Sequence, residues 1–389
     1  MESLLVVNQV VGPLARELLE DLDATGVRCA VVAGWVDGRP AARRFEVLGS
    51  VPLCKAPVWR RLVTWSAFAV HAWAILARRR RTPSLVVTNP PLTMLALPLL
   101  KRLFGLRYVL LVYDIYPDVG ERMGLLKPGG LIARLWRRAS ARAMREAAGV
   151  VTLGSHMAET LRGHFRPGEA APIEVIPNWA DTEFIRPRPK ADNPFSREHN
   201  LAGKFVVMYS GAFGATHDIN SILGAAEQVQ DLEDVRFVLI GGGTREREVA
   251  ERAAARNLPN VTILPLQPLD VLPLSLAAAD CAIVCLDEGY EGIAVPSKTY
   301  PSLAAGSAIL AISPPETELT DLVAEERCGI HVLPRRPDDL AQAIRRFHAD
   351  REYLAACKAA SRAAAEERYS RRTLTHRYAE ALRRWFGEG

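Results

Sequence analysis

The chain has 389 residues, more than one hydrophobic core usually supports, so two domains of nearly 200 residues each are expected. Hydrophobic residues make up 49% and charged residues 24%, the composition of an ordinary soluble globular protein. A net charge of +5 and a pI near 8.9 suit an anionic ligand or an acidic membrane surface, but they are too small a bias to argue for nucleic acid as a partner.

The chain opens on residues 4–10, which read as a first strand with no basic region before it, so no signal peptide is expected. Further strand-like runs follow at 29–33, 85–88, 108–112, 150–153 and 174–176, separated by stretches long enough for helices. The longest apolar stretches, 62–76 and 92–100, fall short of the ~20 residues that span a bilayer. A second series is cleaner, with runs at 205–209, 237–240, 262–264, 281–286, 308–312 and 331–333. Strands alternating with helices imply right-handed βαβ units and parallel sheets covered on both faces. The fold class is therefore α/β, with two doubly wound, Rossmann-like domains. The Pro-rich, charged stretch through residues 177–189 suits a linker, which gives domains at 1–185 and 186–366. Residues 367–389 read as a terminal helix whose apolar face, with Tyr369, Leu374, Tyr378, Leu382, Trp385 and Phe386, is expected to pack back on the first domain. The six cysteines, at 29, 54, 281, 285, 328 and 357, form no C-x-x-C pair and have no His partner at zinc spacing. Cys281 and Cys285, within one strand-like run, read as small buried hydrophobes, and the thiols are expected to be reduced in a cytoplasmic protein.

In open α/β sheets ligands bind beyond the carboxyl ends of the strands, so the βα loops are where chemistry is expected. After the first strand comes Gly12, which could let a substrate approach the backbone and could equally serve a tight turn. After 108–112 come Tyr113, Asp114, Tyr116 and Asp118, candidates for contact with an acceptor or a sugar, with Asp114 the favoured carboxylate. The Y-S-G-A-F-G loop carries Ser210, Gly211 and Gly214, whose glycines would admit a phosphate, and His217 stands beside it as a ligand, solvated or capping residue. Gly241 and Gly242 form a similar turn, and Gln267 follows the next strand. The densest stretch is E-G-I-A-V-P-S-K-T-Y, with Glu291, Gly292, Pro296, Ser297, Lys298, Thr299 and Tyr300. Pro296 and Ser297 are good helix-start residues, so the amides after them and the Lys298 ammonium are expected to converge on an anion. The alternative is an ordinary βα connection with a surface lysine. Residues 58–81, which mix Trp59, Trp65, Phe68 and Trp73 with Arg60, Arg61 and four arginines at 78–81, fit either a core helix with a solvated basic end or a helix resting on anionic lipid.

These loops together, with V-I-P-N-W-A-D at the junction, resemble retaining glycosyltransferases of family 4, nearest to bacterial enzymes of surface-polysaccharide assembly that share V-P-S-K-x-Y. The resemblance covers nearly the whole chain. It implies the GT-B architecture, a nucleotide-sugar donor held by the C-terminal domain with a UDP-sugar favoured, and a glycan or lipid-linked acceptor held by the N-terminal one. If residues 58–81 rest on lipid rather than in the core, peripheral contact with the inner face of the cytoplasmic membrane and a lipid-linked acceptor are expected, and no metal or other cofactor is expected. Glu291 falls at the first carboxylate of the E-x7-E element, while Gly211, Gly214 and Lys298 fall near the diphosphate. The catalytic set is thus Glu291, Asp114 and Lys298. Three features depart from the pattern. The second carboxylate would stand at Thr299 or Pro301, Tyr113 replaces a sugar-contacting His, and Ala215 and His217 replace basic residues after the glycine loop. A degenerate binding subunit and a sugar-nucleotide epimerase are the alternative expectations.

Overall fold

The computed structural model describes residues 1–38, 44–54, 56–165, 168–169, 171–214, 218–243 and 245–387. They form two compact units. Unit 1 comprises Met1–Asn178, Gly292–Val295 and Arg372–Gly389, and unit 2 comprises Trp179–Glu291 and Pro296–Arg371.

Unit 1 is built on β1 (Ser3–Val7), β3 (Arg28–Ala33), β5 (Glu46–Gly49), β6 (Ser84–Val87), β7 (Tyr108–Val112), β8 (Gly149–Thr152) and β9 (Ile173–Val175). They make a parallel sheet in the order β5-β3-β1-β6-β7-β8-β9. A separate two-stranded ribbon pairs β2 (Val10–Val11) with β4 (Trp35–Val36). The central strands are buried along their whole length, as the uninterrupted apolar run of β7 requires of a sheet covered on both faces. Helix α1 (Pro13–Ala24) joins β1 to β3 in one direction across the sheet. The connections through α2 (Val58–Arg78), α3 (Leu97–Phe104), α4 (Asp118–Arg122) with α5 (Leu131–Glu146), and α6 (Ser155–Gly163) all step the other way. Right-handed crossovers therefore place α2, α3, α5 and α6 together on the face opposite α1.

The strand expected at 4–10 is split. Val10 N–H turns to the Asn8 side chain, and Gln9 leaves the sheet to donate its amide to the Val51 and Thr64 carbonyls. Strand β5 went unread because Glu46–Gly49 is a four-residue edge strand without a distinct apolar pattern.

Unit 2 carries β10 (Phe205–Ser210), β11 (Val235–Ile240), β12 (Val261–Leu264), β13 (Cys281–Cys285), β14 (Ala308–Ile312) and β15 (Gly329–Val332), parallel in the order β12-β11-β10-β13-β14-β15. Its helices are α7 (Pro194–Glu198), α8 (Ile219–Gln228), α9 (Glu246–Ala255), α10 (Leu272–Ala277), α11 (Thr299–Ala304), α12 (Glu318–Glu326), α13 (Pro337–Ala349) and α14 (Arg351–Glu367). Phe205, Tyr209, Phe213, Phe237, Leu310 and Phe347 anchor one core cluster. Arg362 on α14 donates to the carbonyls of Thr182, Ile185 and Ala304, tying the start of the unit to its sheet. Ala180 forms a parallel bridge with Ser370, and Arg371 pairs with Asp181 at 3.3 Å. All six thiols are free, and five are buried.

The terminal helix α15 (Arg371–Phe386) buries Leu374, Tyr378, Leu382 and Phe386. Thr375 donates to Asp21, and Arg384 pairs with Glu174. The Trp385 ring lies directly on Gly149 of β8, where an added Cβ would stand 2.3 Å from it. Gly149→Val should therefore destabilise unit 1 by about 1–3 kcal/mol through overpacking, read as a lower urea midpoint.

Candidate functional site

At the carboxyl edge of the unit 2 sheet, Gly211 adopts φ +149°. That conformation favours glycine, and a Cβ there would stand 3.1 Å from Lys298 Nζ and crowd the lysine. The glycine loops pack on one another. A Cβ on Gly241 would come within 2.4 Å of the Gly211 carbonyl and 2.7 Å of the Phe213 ring. Gly211 N–H donates to Ile240, Phe213 N–H to Gly242 and Gly241 N–H to Leu264. The amides of 211, 213 and 241 are thus already bound within the unit. Ser210 and Gly214 are half-buried at the edge of this loop, and Gly242 has ordinary clearance. His217 lies outside the described residues.

What the loop offers an anion is Lys298. Its Nζ donates to Tyr209 Oη at 2.8 Å, and that hydroxyl donates to the Ala212 carbonyl at 2.7 Å. Phe213 stacks on Tyr209 at 5.7 Å. The lysine makes no ion pair among the described residues, and burial lowers its pKa from 10.5 to about 8. Burial raises the Tyr209 phenol, which stays protonated. Tyr209 was not singled out as a site residue from sequence, although an aromatic one residue before the end of β10, just ahead of the glycines, was a readable signal.

The helix does not begin at Pro296 and Ser297. The Pro296 carbonyl accepts both the N–H and the hydroxyl of Thr299, so the chain makes a turn first and α11 starts at Thr299. Six residues of helix add little dipole, and the burden of attracting an anion falls on the ammonium. Thr299 is buried with its hydroxyl turned back, and Tyr300 packs in the unit against Tyr369, so both support the loop from beneath. Pro296 is half-buried and Ser297 exposed. Glu291 is half-buried and makes no hydrogen bond or ion pair among the described residues. Gln267 donates to the Pro265 carbonyl.

In unit 1, Gly292 has φ +62°, and a Cβ there would lie 2.5 Å from Thr160 Oγ1 of α6. The Ile293 carbonyl accepts from Ile115 N–H, next to Asp114. Asp114 makes no ion pair or hydrogen bond among the described residues, and burial raises its carboxyl from 3.8 to about 6. Tyr113 is raised to about 12 by burial. Gly12 caps α1 with ordinary φ and open space beside its Cα, so neither packing nor backbone strain requires a glycine there. Asp118 pairs with Arg137, which Glu121 shares, while its Oδ2 is buried without a partner. Tyr116 lies between Trp65 and Trp136, at 6.0 Å edge-on and 5.9 Å stacked. Both indole N–H groups, Arg61 Nε and Gln9 Oε1 are buried without partners. Sequence reading missed Trp136, Arg61 and Gln9 as members of this group, because α2, α5 and the loop after β1 meet only in the folded sheet.

A model of the glycosyl transferase 4-like domain matches residues 11–179, and a model of the glycosyl transferases group 1 matches residues 192–364. The chain is 32% identical over 271 residues to a protein named as a probable glycosyltransferase, WbjE, of Pseudomonas aeruginosa, covering 69% of this chain and 67% of that one. It is 27% identical over 362 residues to a putative colanic acid biosynthesis glycosyl transferase, WcaI, of Escherichia coli (strain K12), covering 86% and 88%. Among solved structures, sucrose-phosphate synthase from Thermosynechococcus elongatus is similar with a TM-score of 0.79 at 17% identity over 99% of both chains. Anabaena HepE in complex with UDP-glucose is similar with a TM-score of 0.74 at 16% identity, over 98% of this chain and 99% of that one. The chain belongs to the glycosyltransferases that join a 4-like domain to a group 1 domain on the GT-B fold.

Proposed function

We propose that this enzyme is a retaining hexosyl- or N-acetylhexosaminyl-transferase, moving a sugar from a UDP-sugar to a glycan or lipid-linked acceptor in cell-surface polysaccharide assembly. The observation that carries the donor half is the buried, unpaired ammonium of Lys298 against the Gly211 backbone. A diphosphate supplies the missing counter-charge, and the same contact strengthens as the leaving group gains charge during transfer. Glu291, free of internal partners, accepts hydrogen bonds from sugar hydroxyls. The UDP class is supported by the UDP-glucose bound to HepE, and the polysaccharide setting by the name given to WcaI.

Asp114 and the Trp65, Tyr116 and Trp136 rings serve the acceptor. A carboxyl that titrates near 6 accepts from a hydroxyl in its ionised form. Lipid-linked acceptors are favoured because α2 carries an exposed apolar and basic side next to this group, consistent with peripheral contact at the cytoplasmic leaflet.

Glu291→Gln should cut turnover about 100-fold with UDP affinity within a few-fold. Wild-type turnover would sink the assignment, and consumption of the donor without any acceptor would point to an epimerase instead. Lys298→Ala should weaken UDP by about 1.5–3 kcal/mol and leave uridine binding unchanged, measured by calorimetry. In the wild type, UDP affinity should hold below pH 7 and fall as pH rises through about 8, where the lysine loses its proton. A flat profile from pH 7 to 9.5 would contradict this.

Asp114→Asn should lower turnover yet raise stability at pH 7 by about 2 kcal/mol. The raised carboxyl costs nothing below the unfolded value near 4. As pH climbs through 6 the unfolded chain ionises first, and stability is lost. The variant and wild type should therefore melt alike at pH 4 and diverge by pH 7.

A further inference from the structure

Residues 58–145 contain 16 Lys and Arg against 3 Asp and Glu, so this segment is net +13 while the remaining 301 residues are net −8. The same segment builds α2, α3 and α5, which share one face of the unit 1 sheet and pack in sequence through Trp73, whose indole donates to Thr93. α2 buries Trp65, Phe68, Ala72, Ile75 and Leu76, and still exposes Trp59, Leu62, Val63 and Val70 outward. α3 exposes Leu99 and Leu103, one turn apart, and α5 exposes Leu131, Ile132 and Leu135, with both Leu131 and Ile132 at 67% exposure. Of the 18 large exposed hydrophobics among the described residues, 13 lie in this segment. Patches of this kind mark interaction surfaces.

We infer that unit 1 docks on an anionic phospholipid bilayer through this three-helix face, with α3 and α5 contributing as much as α2. Arg60, Arg80, Arg102, Arg134 and Arg138 make no ion pair among the described residues, so their charges are available to phosphate headgroups while the leucines and Trp59 enter the interface. A second copy of the chain is the poorer occupant. An isologous contact would set a strongly basic face against itself, whereas a bilayer offers opposite charge and apolar depth together. The inference deepens the lipid-linked acceptor reading and rests on it only for what is delivered, since docking itself needs no substrate.

The test is co-sedimentation of the full chain with vesicles of phosphatidylcholine alone or mixed with phosphatidylglycerol. Wild type should bind the mixed vesicles at low salt and be released as salt rises. Arg134→Glu with Arg138→Glu, both exposed on α5 of unit 1, should weaken binding roughly 25-fold, about fivefold per basic residue lost. Leu99→Ser with Leu103→Ser on α3 should weaken binding at every salt concentration and gives the same reading should the first pair fail to fold. UDP affinity and turnover on a water-soluble acceptor should be unchanged in both. No binding of wild type at low salt, or α3 and α5 variants that bind as wild type, would overturn the inference. A wild-type dimer in sedimentation velocity that either variant dissociates would also overturn it, making the face a self-contact. Vesicle binding without any transfer would leave the docking intact and count against the donor and acceptor reading alone.

Discussion

Much of unit 2 is arranged around one charge that the protein does not neutralise. Lys298 is buried against Gly211 with a phenol for its only hydrogen-bonding partner and no carboxylate among the described residues. A lone buried ammonium is costly, and that cost is visible in its lowered pKa. Each neighbour is shaped by the need to keep it in place. A Cβ on Gly211 would crowd the ammonium, Gly241 must lack a side chain so that the Gly211 loop can lie close, and Phe213 backs the Tyr209 ring that aligns the phenol. In the donor reading proposed above, a bound diphosphate would offset that cost and turn a stability defect of the empty protein into affinity for its ligand.

Unit 1 holds the opposite case. Asp114 is a buried carboxylate without a cation, and its pKa moves the other way for the same reason. Two unpaired charges of opposite sign, each at the carboxyl end of a central strand, are what a binding protein looks like before its ligand is present. Structural ion pairs in this chain look different: Asp280 is met by Lys190, Lys358 and the Val206 amide at once. The contrast separates charges that hold the fold together from the two that the proposed function assigns to substrate.

Both sheets could be read from sequence because parallel strands buried on two faces give unbroken apolar runs, and twelve such runs stood out. What escaped were elements without that signature, namely the edge strand β5 and the two-residue partners β2 and β4. In the site, Lys298 and Glu291 stood out by residue type and position. The start of α11 was misplaced because Pro296 promised a helix while its carbonyl went to the Thr299 hydroxyl, a choice made by side-chain geometry that no propensity reports. Tyr209 escaped because it read as one more buried strand residue, and its hydroxyl matters only once Lys298, 89 residues away, is set beside it.

The overall charge concealed most. A net +5 reads as a mild bias, yet it is the small difference between a strongly basic segment and an acidic remainder. Such segregation has a price in self-repulsion, since 16 basic residues crowd 88 positions and several find no acidic partner. Solubility alone would be served as well by mixing the signs. Concentrating them on the helices that also expose the apolar side chains is the arrangement that the proposed bilayer docking would use. The same stretch of chain then supplies α2, whose outward side carries Trp59 and whose inward side delivers Trp65 and Arg61 to the ring stack with Tyr116. In the readings proposed above, one amphipathic helix would tie the docking face to the group assigned to the acceptor.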